Sequence, residues 1–247
     1  SNDISLYIVC REGKWGYIDK TGREVIHCKY DYAYAFCEGL AIVKKSGKYG
    51  YIDKTGREVA PCQYDYAEDL HEGLAEVEKS DKWGFVDKTG REVIPCQYDS
   101  TDDFSEGLAV VEMDGKRGYI DKTGREVIPC KYADARDFHE GLALVGMNGK
   151  YGYIDKTGRE VIPFPRKYNW ASIFSDGLAR VRKSDKWGYI DKTGREVIPC
   201  KYDSTSNFLE GLALVVKSDK YGYIDKTGRE VIPCQYDEAY GFHEGLA

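Results

Sequence analysis

The chain has 247 residues, 42% hydrophobic and 32% charged, with a formal net charge of -6. That balance belongs to a folded chain rather than a disordered one, and the acidic excess argues against nucleic acid or an anionic membrane as the main partner. No apolar run nears the roughly 18 residues of a membrane span, so membrane insertion is not expected.

The same words recur along the chain. "KWGYIDKTGREVIHCKYD" at Lys14–Asp31 returns as "KYGYIDKTGREVAPCQYD" at Lys48–Asp65, and five more times after that. The residue before the first glycine is Trp15, Tyr49, Trp83, Arg117, Tyr151, Trp187 and Tyr221, which sets steps of 34, 34, 34, 34, 36 and 34 residues. The long step comes from "IPFPRKYN" at Ile162–Asn169, which replaces the usual "IPCKYD". Residues 1–247 therefore read as a single repeat domain of seven repeats of about 34 residues. At this length a single core nears its usual limit, and a repeat array escapes that limit.

The chain opens on Ser1-Asn2 without a Met, which reads as trimming at the N-terminus. "SLYIV" (Ser5–Val9) aligns with "GLAIV" (Gly39–Val43), and the chain stops on "EGLA" (Glu244–Ala247) inside the same element.

Within a repeat, "GLAVV" (Gly107–Val111) predicts a first strand, "WGYID" (Trp187–Asp191) a second and "REVIP" (Arg195–Pro199) a third, on β-branched and aromatic content. Polar turns such as "SGK" and the "DKTG" joint are short enough to be hairpins, which forces antiparallel pairing. The turn glycine is expected in the left-handed region, with the Asp carboxylate capping the turn. The Pro is expected to end the third strand, because it cannot donate to a ladder. The connector "CKYDSTSNFLEG" (Cys200–Gly211) is open between an irregular fourth edge strand and a helical turn capped by Asp203.

Gly and Pro punctuation excludes helical repeats, and tight reversals exclude a parallel solenoid. The expected fold is all-β: tandem antiparallel β-meander repeats arranged as a seven-bladed β-propeller. The alternative is an open β-hairpin spiral. If a ring closes, "SLYIV" and "EGLA" compete for one slot.

The pattern "F.EGLA.V...GKWGYIDKTGREVIP..YD" resembles the WG (KWG) repeats of bacterial proteins, from Leu6 to Ala247. The resemblance implies a scaffold or interaction module. The sequence departs from the pattern at Arg117 in the aromatic slot, at the Phe164–Pro165 insertion, and at His27, where other repeats carry Pro.

A catalytic site needs different residues converging at one point, whereas an array supplies one residue at seven points. The Asp row from Asp19 to Asp225 is accounted for by its turn, and the Glu row from Glu24 to Glu230 by cross-strand pairing with Arg. Cys28, Cys62, Cys96, Cys130, Cys200 and Cys234 share a slot with Phe164, so it reads as apolar, and their spacing suits neither disulfides nor zinc. Cys10 and Cys37 stand outside that slot and could meet. The eight cysteines lean to a reducing, cytoplasmic compartment, which stays otherwise unassigned. His71, His139 and His243 read as a half-exposed surface row. The aromatic rows are expected to fill the wedge between sheets, with Gly16 and its equivalents allowing close approach. No catalytic residue, metal site or cofactor is expected.

Specificity is then expected where the repeats differ: in the connectors, and at the variable first-strand position Ile42, Glu76, Val110, Leu144, Arg180 and Leu214. Trp170, Arg166 and Ile173 in the irregular fifth repeat are the candidate binding residues, because Trp and Arg dominate recognition hot spots. The expected function is a non-enzymatic, monomeric repeat scaffold that binds protein. The alternative is a multivalent lectin-like module that binds glycan through its aromatic rows.

Overall fold

The computed structural model describes residues 5–163 and 168–240. By contact density the chain falls into two compact units, Ser1–Cys130 and Lys131–Ala247. The described residues form seven separate antiparallel sheets and no helix, so none is present that could cross a membrane.

Sheet 1 has three strands, Tyr7–Arg11, Lys14–Ile18 and Glu24–Tyr30. Each later sheet has four, consecutive in the chain. In sheet 2 these are a two-residue opening strand, Tyr32–Ala33, then a first strand Leu40–Lys45, a second Lys48–Asp53 and a third Glu58–Tyr64. The opening strands of sheets 3 to 7 are Tyr66–Ala67, Ser100–Thr101, Asp134–Ala135, Trp170–Ala171 and Ser204–Thr205. The connector therefore resolves as an edge strand. Its start pairs with the following repeat, as in Tyr32 with Lys44 and Ala33 with Val43. Asp203 caps no helix; its carboxylate accepts from Lys186 Nζ and from the Ser218 N–H at 2.7 Å.

The third strand does not end at proline. In sheet 2 the pairing passes from Tyr51 with Ala60 to Tyr49 with Tyr64. Three residues, Pro61, Cys62 and Gln63, thus lie opposite one, and a bulge on an edge strand asks no ladder hydrogen bond of a proline. The Glu of "REV" serves this bulge: Glu24 Oε1 accepts from the Cys28 N–H at 3.0 Å, and Glu92 Oε1 from the Cys96 N–H at 2.9 Å.

The glycine of "WG" faces the bulge. A Cβ on Gly84 would lie 2.4 Å from the Ile94 carbonyl oxygen and 2.7 Å from the Cys96 nitrogen. The close approach is therefore made to the third strand of the same sheet, not to the neighbouring sheet as the sequence suggested. Over the glycine, the Cys62 Sγ reaches the Val43 carbonyl of the first strand at 3.8 Å.

The "DKTG" hairpin follows expectation. Gly56 has a φ of +84°. Asp53 Oδ1 accepts from the Thr55 N–H at 2.9 Å and Thr55 Oγ1 at 2.6 Å, while Arg57 Nε reaches Oδ2 at 3.0 Å.

Within each compact unit, successive sheets bury a hydrophobic layer between them. In the first compact unit, Tyr17, Ile26 and Tyr30 of sheet 1 pack on Val43 and Ile52 of sheet 2, and Ile42, Tyr51 and Tyr64 pack on Val77 and Val86 of sheet 3. In the second, Tyr153 and Ile162 of sheet 5 pack on Val181 and Ile190 of sheet 6, and Tyr189 and Ile198 pack on Val215 and Ile224 of sheet 7. Ile52 and Ile224 are fully buried, each worth roughly 1.5–3 kcal/mol. The second-strand tyrosines also anchor the connectors: Tyr51 Oη donates to the Glu68 carbonyl at 2.6 Å, and Tyr189 Oη to the Ser206 carbonyl at 2.7 Å. Asp65 ties neighbours together, accepting from Lys48 Nζ of sheet 2 and from the Ser80 N–H of sheet 3 at 2.9 Å.

Gly84→Ala is expected to destabilise the fold by at least about 1–3 kcal/mol, as overpacking does. Gly107→Ala, with φ +85° and open space at the Cβ, is expected to cost about 1 kcal/mol. Denaturant midpoints of the two variants check the order; equal midpoints would remove the steric role given to the "WG" glycine.

Candidate binding cavity at the irregular repeat

The long step of the repeat leads into sheet 6. Trp170 opens this sheet opposite Arg182, and Ala171 pairs with Val181. Ser172 then pins the connector: its N–H donates to the Arg180 carbonyl at 3.0 Å, and its Oγ accepts from the Arg180 N–H at 3.0 Å and donates to the Ile173 carbonyl at 2.8 Å. This fixes Ile173 beside the first strand, Leu178–Lys183.

Arg180 sits on that strand opposite Tyr189. The equivalent positions hold Ile42, Val110, Leu144 and Leu214. A guanidinium thus occupies a slot that is aliphatic in four other sheets. Its carbon lies 5.4 Å from the Trp170 ring centroid and 5.5 Å from that of Trp187, within cation–π range of both. The two indoles meet edge to face at 4.9 Å. Arg180 Nη1 donates to the Thr205 carbonyl at 2.8 Å, while Nε is buried with no hydrogen-bond partner. Burial lowers the Arg180 pKa from its ordinary value.

These residues line a cavity of about 580 Å³, all within the second compact unit. Asp134, Arg136, Asp137 and His139 come from the connector preceding sheet 5's first strand, Leu144 and Tyr151 from sheet 5 itself, and Asn207 from the connector after sheet 6. The structure thus brings Trp170 and Ile173 together on one wall. Arg166 lies outside the described residues, as do Phe164, Pro165 and His243. Sequence reasoning flagged the slot of Arg180 as variable but did not name Arg180 as a site residue. The signal was present: a charge where the repeat asks for an aliphatic.

The same slot in sheet 3 holds Glu76, opposite Phe85. Burial, and to a lesser degree Asp103, Asp102 and Glu68, push its carboxyl up to about 8, and its Oε1 is buried without a partner. A second cavity, of about 560 Å³, lies between Leu74, Arg91, Val93 and Thr123. Its lining is mostly of the shared pattern, with the Lys122–Glu72 ion pair at 2.8 Å on its wall.

The remaining rows are taken up by structure. All eight cysteines are free, and Cys10 and Cys37 do not bond to each other. Burial pushes the Cys96 thiol up to about 11, so it is protonated at neutral pH. His71 is exposed, with Nε2 3.9 Å from Asp103. Among the described residues no three His, Cys, Asp or Glu side chains are grouped to hold a metal. The "WG" aromatic row is half-buried to exposed, and Arg117 in it pairs with Glu112 at 3.1 Å. In the first unit this row joins connector tyrosines. Trp15 lies 5.2 Å from Tyr32 and Tyr32 lies 4.9 Å from Tyr34, while Tyr66 lies 6.1 Å from Tyr49 and 5.7 Å from Trp83.

A model of the WG containing repeat matches the chain over residues 15–49, 49–83, 83–116, 118–151, 151–187, 187–221 and 221–247. Comparison with curated proteins returns no match. Among solved structures, a crystal structure titled as the eukaryotic initiation factor is similar at a TM-score of 0.52 and 10% identity, covering 94% of this chain and 74% of that one. That likeness concerns fold alone. Hsv2p of Kluyveromyces lactis matches at a TM-score of 0.44 and 10% identity, covering 76% and 71%.

The hairpin carboxylates yield a pH prediction. The Thr123 hydroxyl and further donors hold Asp121 at about 2, below the roughly 3.9 of an unfolded Asp. Its contribution is therefore complete above about pH 4 and is lost as pH falls through about 2. Asp121→Ala should unfold more easily than the parent at pH 7, and the gap should narrow below pH 3 in thermal melts.

Proposed function

The chain belongs to the family of WG-containing repeats, and from that premise we propose a non-enzymatic, monomeric scaffold that binds a protein partner through the positions where its repeats differ. The observation that carries this reading is the cavity around Trp170, Ile173 and Arg180. Each of these three residues stands at a departure from the repeat, and departures are what an array can use to tell one partner from another. The shared residues support the reading from the other side. The glycine is held by its bulge, the Glu by a bulge N–H, the Asp by its hairpin and the buried Tyr by a connector carbonyl. Groups so engaged are poorly placed to react with a substrate.

Of the two arrangements open to seven meander sheets, the proposal takes the propeller over the open spiral. A closed array of this length has an expected radius of gyration of roughly 18 Å. Small-angle scattering giving a clearly larger value would favour the spiral.

A glycan-binding reading stands second, favoured by one observation: Tyr32, Tyr34 and Tyr66 in the first unit are 44%, 39% and 40% exposed beside Trp15 and Trp83. The two readings separate by stoichiometry, since repeated aromatic sites would take several equivalents of one oligosaccharide.

With a partner recovered from native lysate, Trp170→Ala and Ile173→Ala are each expected to weaken binding by about tenfold or more. Matched substitutions in the other connectors should give smaller effects. A scan in which no connector substitution moves affinity, measured by calorimetry, would reject the proposal.

A further inference from the structure

Resting on that reading of the connector face, the surroundings of Arg180 define what its cavity accepts. Arg180 brings a positive charge into a slot built for an aliphatic side chain, and makes no ion pair with any described carboxylate. Asp134, on the cavity wall, lies 3.5 Å from Arg136 and is offset by it. The carboxylate of Asp137 and the imidazole of His139 also line the cavity. A partly desolvated cation without a counter-ion is costly to keep. Its planar fork of N–H donors matches a carboxylate, and the two edge-to-face indoles beside it hold that fork in place. Leu144, Ala171 and Ile173 line the same space. Such walls suit methylene groups better than the hydroxyl edges of a sugar.

We propose that this cavity receives an acidic side chain of a peptide, its carboxylate on the Arg180 guanidinium and its flanking residues against Trp170 and Ile173. Glutamate suits the site better than a phosphate group, because one guanidinium offsets a single negative charge.

The test uses the intact chain and two blocked tripeptides, acetyl-Ala-Glu-Ala-amide and its Gln counterpart. Binding is read by NMR from the Arg180 Nε–H and the Trp170 indole N–H. The expected result is saturable shifts at both, with the Glu peptide binding about tenfold more tightly than the Gln peptide, and that preference shrinking at high salt. In Arg180→Leu the preference should vanish; Leu144 and Leu214 fill the same slot elsewhere, so the fold should tolerate it. Equal binding of the two peptides, or a preference that survives Arg180→Leu, would overturn the proposal. So would glucuronate or inorganic phosphate binding more tightly than the Glu peptide. Because the readout is Glu-over-Gln preference at one guanidinium, its failure is separable from failure of the connector scan, which reads affinity for a whole partner.

Discussion

Among the described residues, the second strand's glycine touches the bulged third strand in six sheets. A Cβ on Gly16, Gly50, Gly84, Gly118, Gly188 or Gly222 would lie 2.4–2.7 Å from a carbonyl oxygen of that strand. Other shared features follow from it. The bulge needs an N–H acceptor, and the Glu of "REV" provides one. It tolerates a proline because no ladder bond is asked there. It also lets a small thiol cross above the glycine to the first strand's carbonyl, which explains why the Cys row is half-buried. The motif that names the family is thus a packing requirement: the aromatic shields one side of the strand, and the missing side chain admits the bulge on the other.

A second constraint is charge satisfaction across repeats. Four connector aspartates, Asp31, Asp65, Asp99 and Asp203, each accept from a Lys of the preceding sheet and a turn N–H of the next, as Asp99 does with Lys82 and Asp114. Exposed ion pairs contribute little singly. Their regular placement matters more for register, because a slipped neighbour would take the turn N–H away from one carboxylate oxygen. The Lys of "DKTG" adds a longer link, with Lys192 reaching Glu140 at 3.0 Å and Lys226 reaching the Asp176 carboxylate at 2.5 Å.

Much of this was legible beforehand. The repeat, the hairpins, the left-handed Gly56 and the Asp53 cap follow from local rules about turns and glycine. The continuation of the third strand through Pro61 was not legible, because a proline read alone says stop; only the facing Gly50 reveals the bulge, and that pairing is not local. The opening strand Ser204–Thr205 was equally hidden, since its two residues carry no periodicity and gain strand character from pairing with Val216 and Val215. At the cavity, Trp170 and Ile173 stood out by composition. Arg180 was visible as a charge in an aliphatic slot, but the two indoles and the cavity around it come from pairing that is not local.

An array faces a general difficulty in recognition: identical repeats offer identical surfaces, and a unique site must be made by breaking the pattern without breaking the fold. The inward first-strand slot shows one way to do this. Its backbone is fixed by pairing on both sides, so a side chain there can change while the sheet persists. In sheet 3 the change is Glu76, whose buried carboxyl is pushed towards its neutral form; in sheet 6 it is Arg180, which keeps its charge because arginine hardly deprotonates. Two substitutions in one slot thus create chemically opposite interiors on the same scaffold. The acid can relieve its burial by taking up a proton and needs no ligand to do so. The arginine lacks that escape, so its charge stays in the slot.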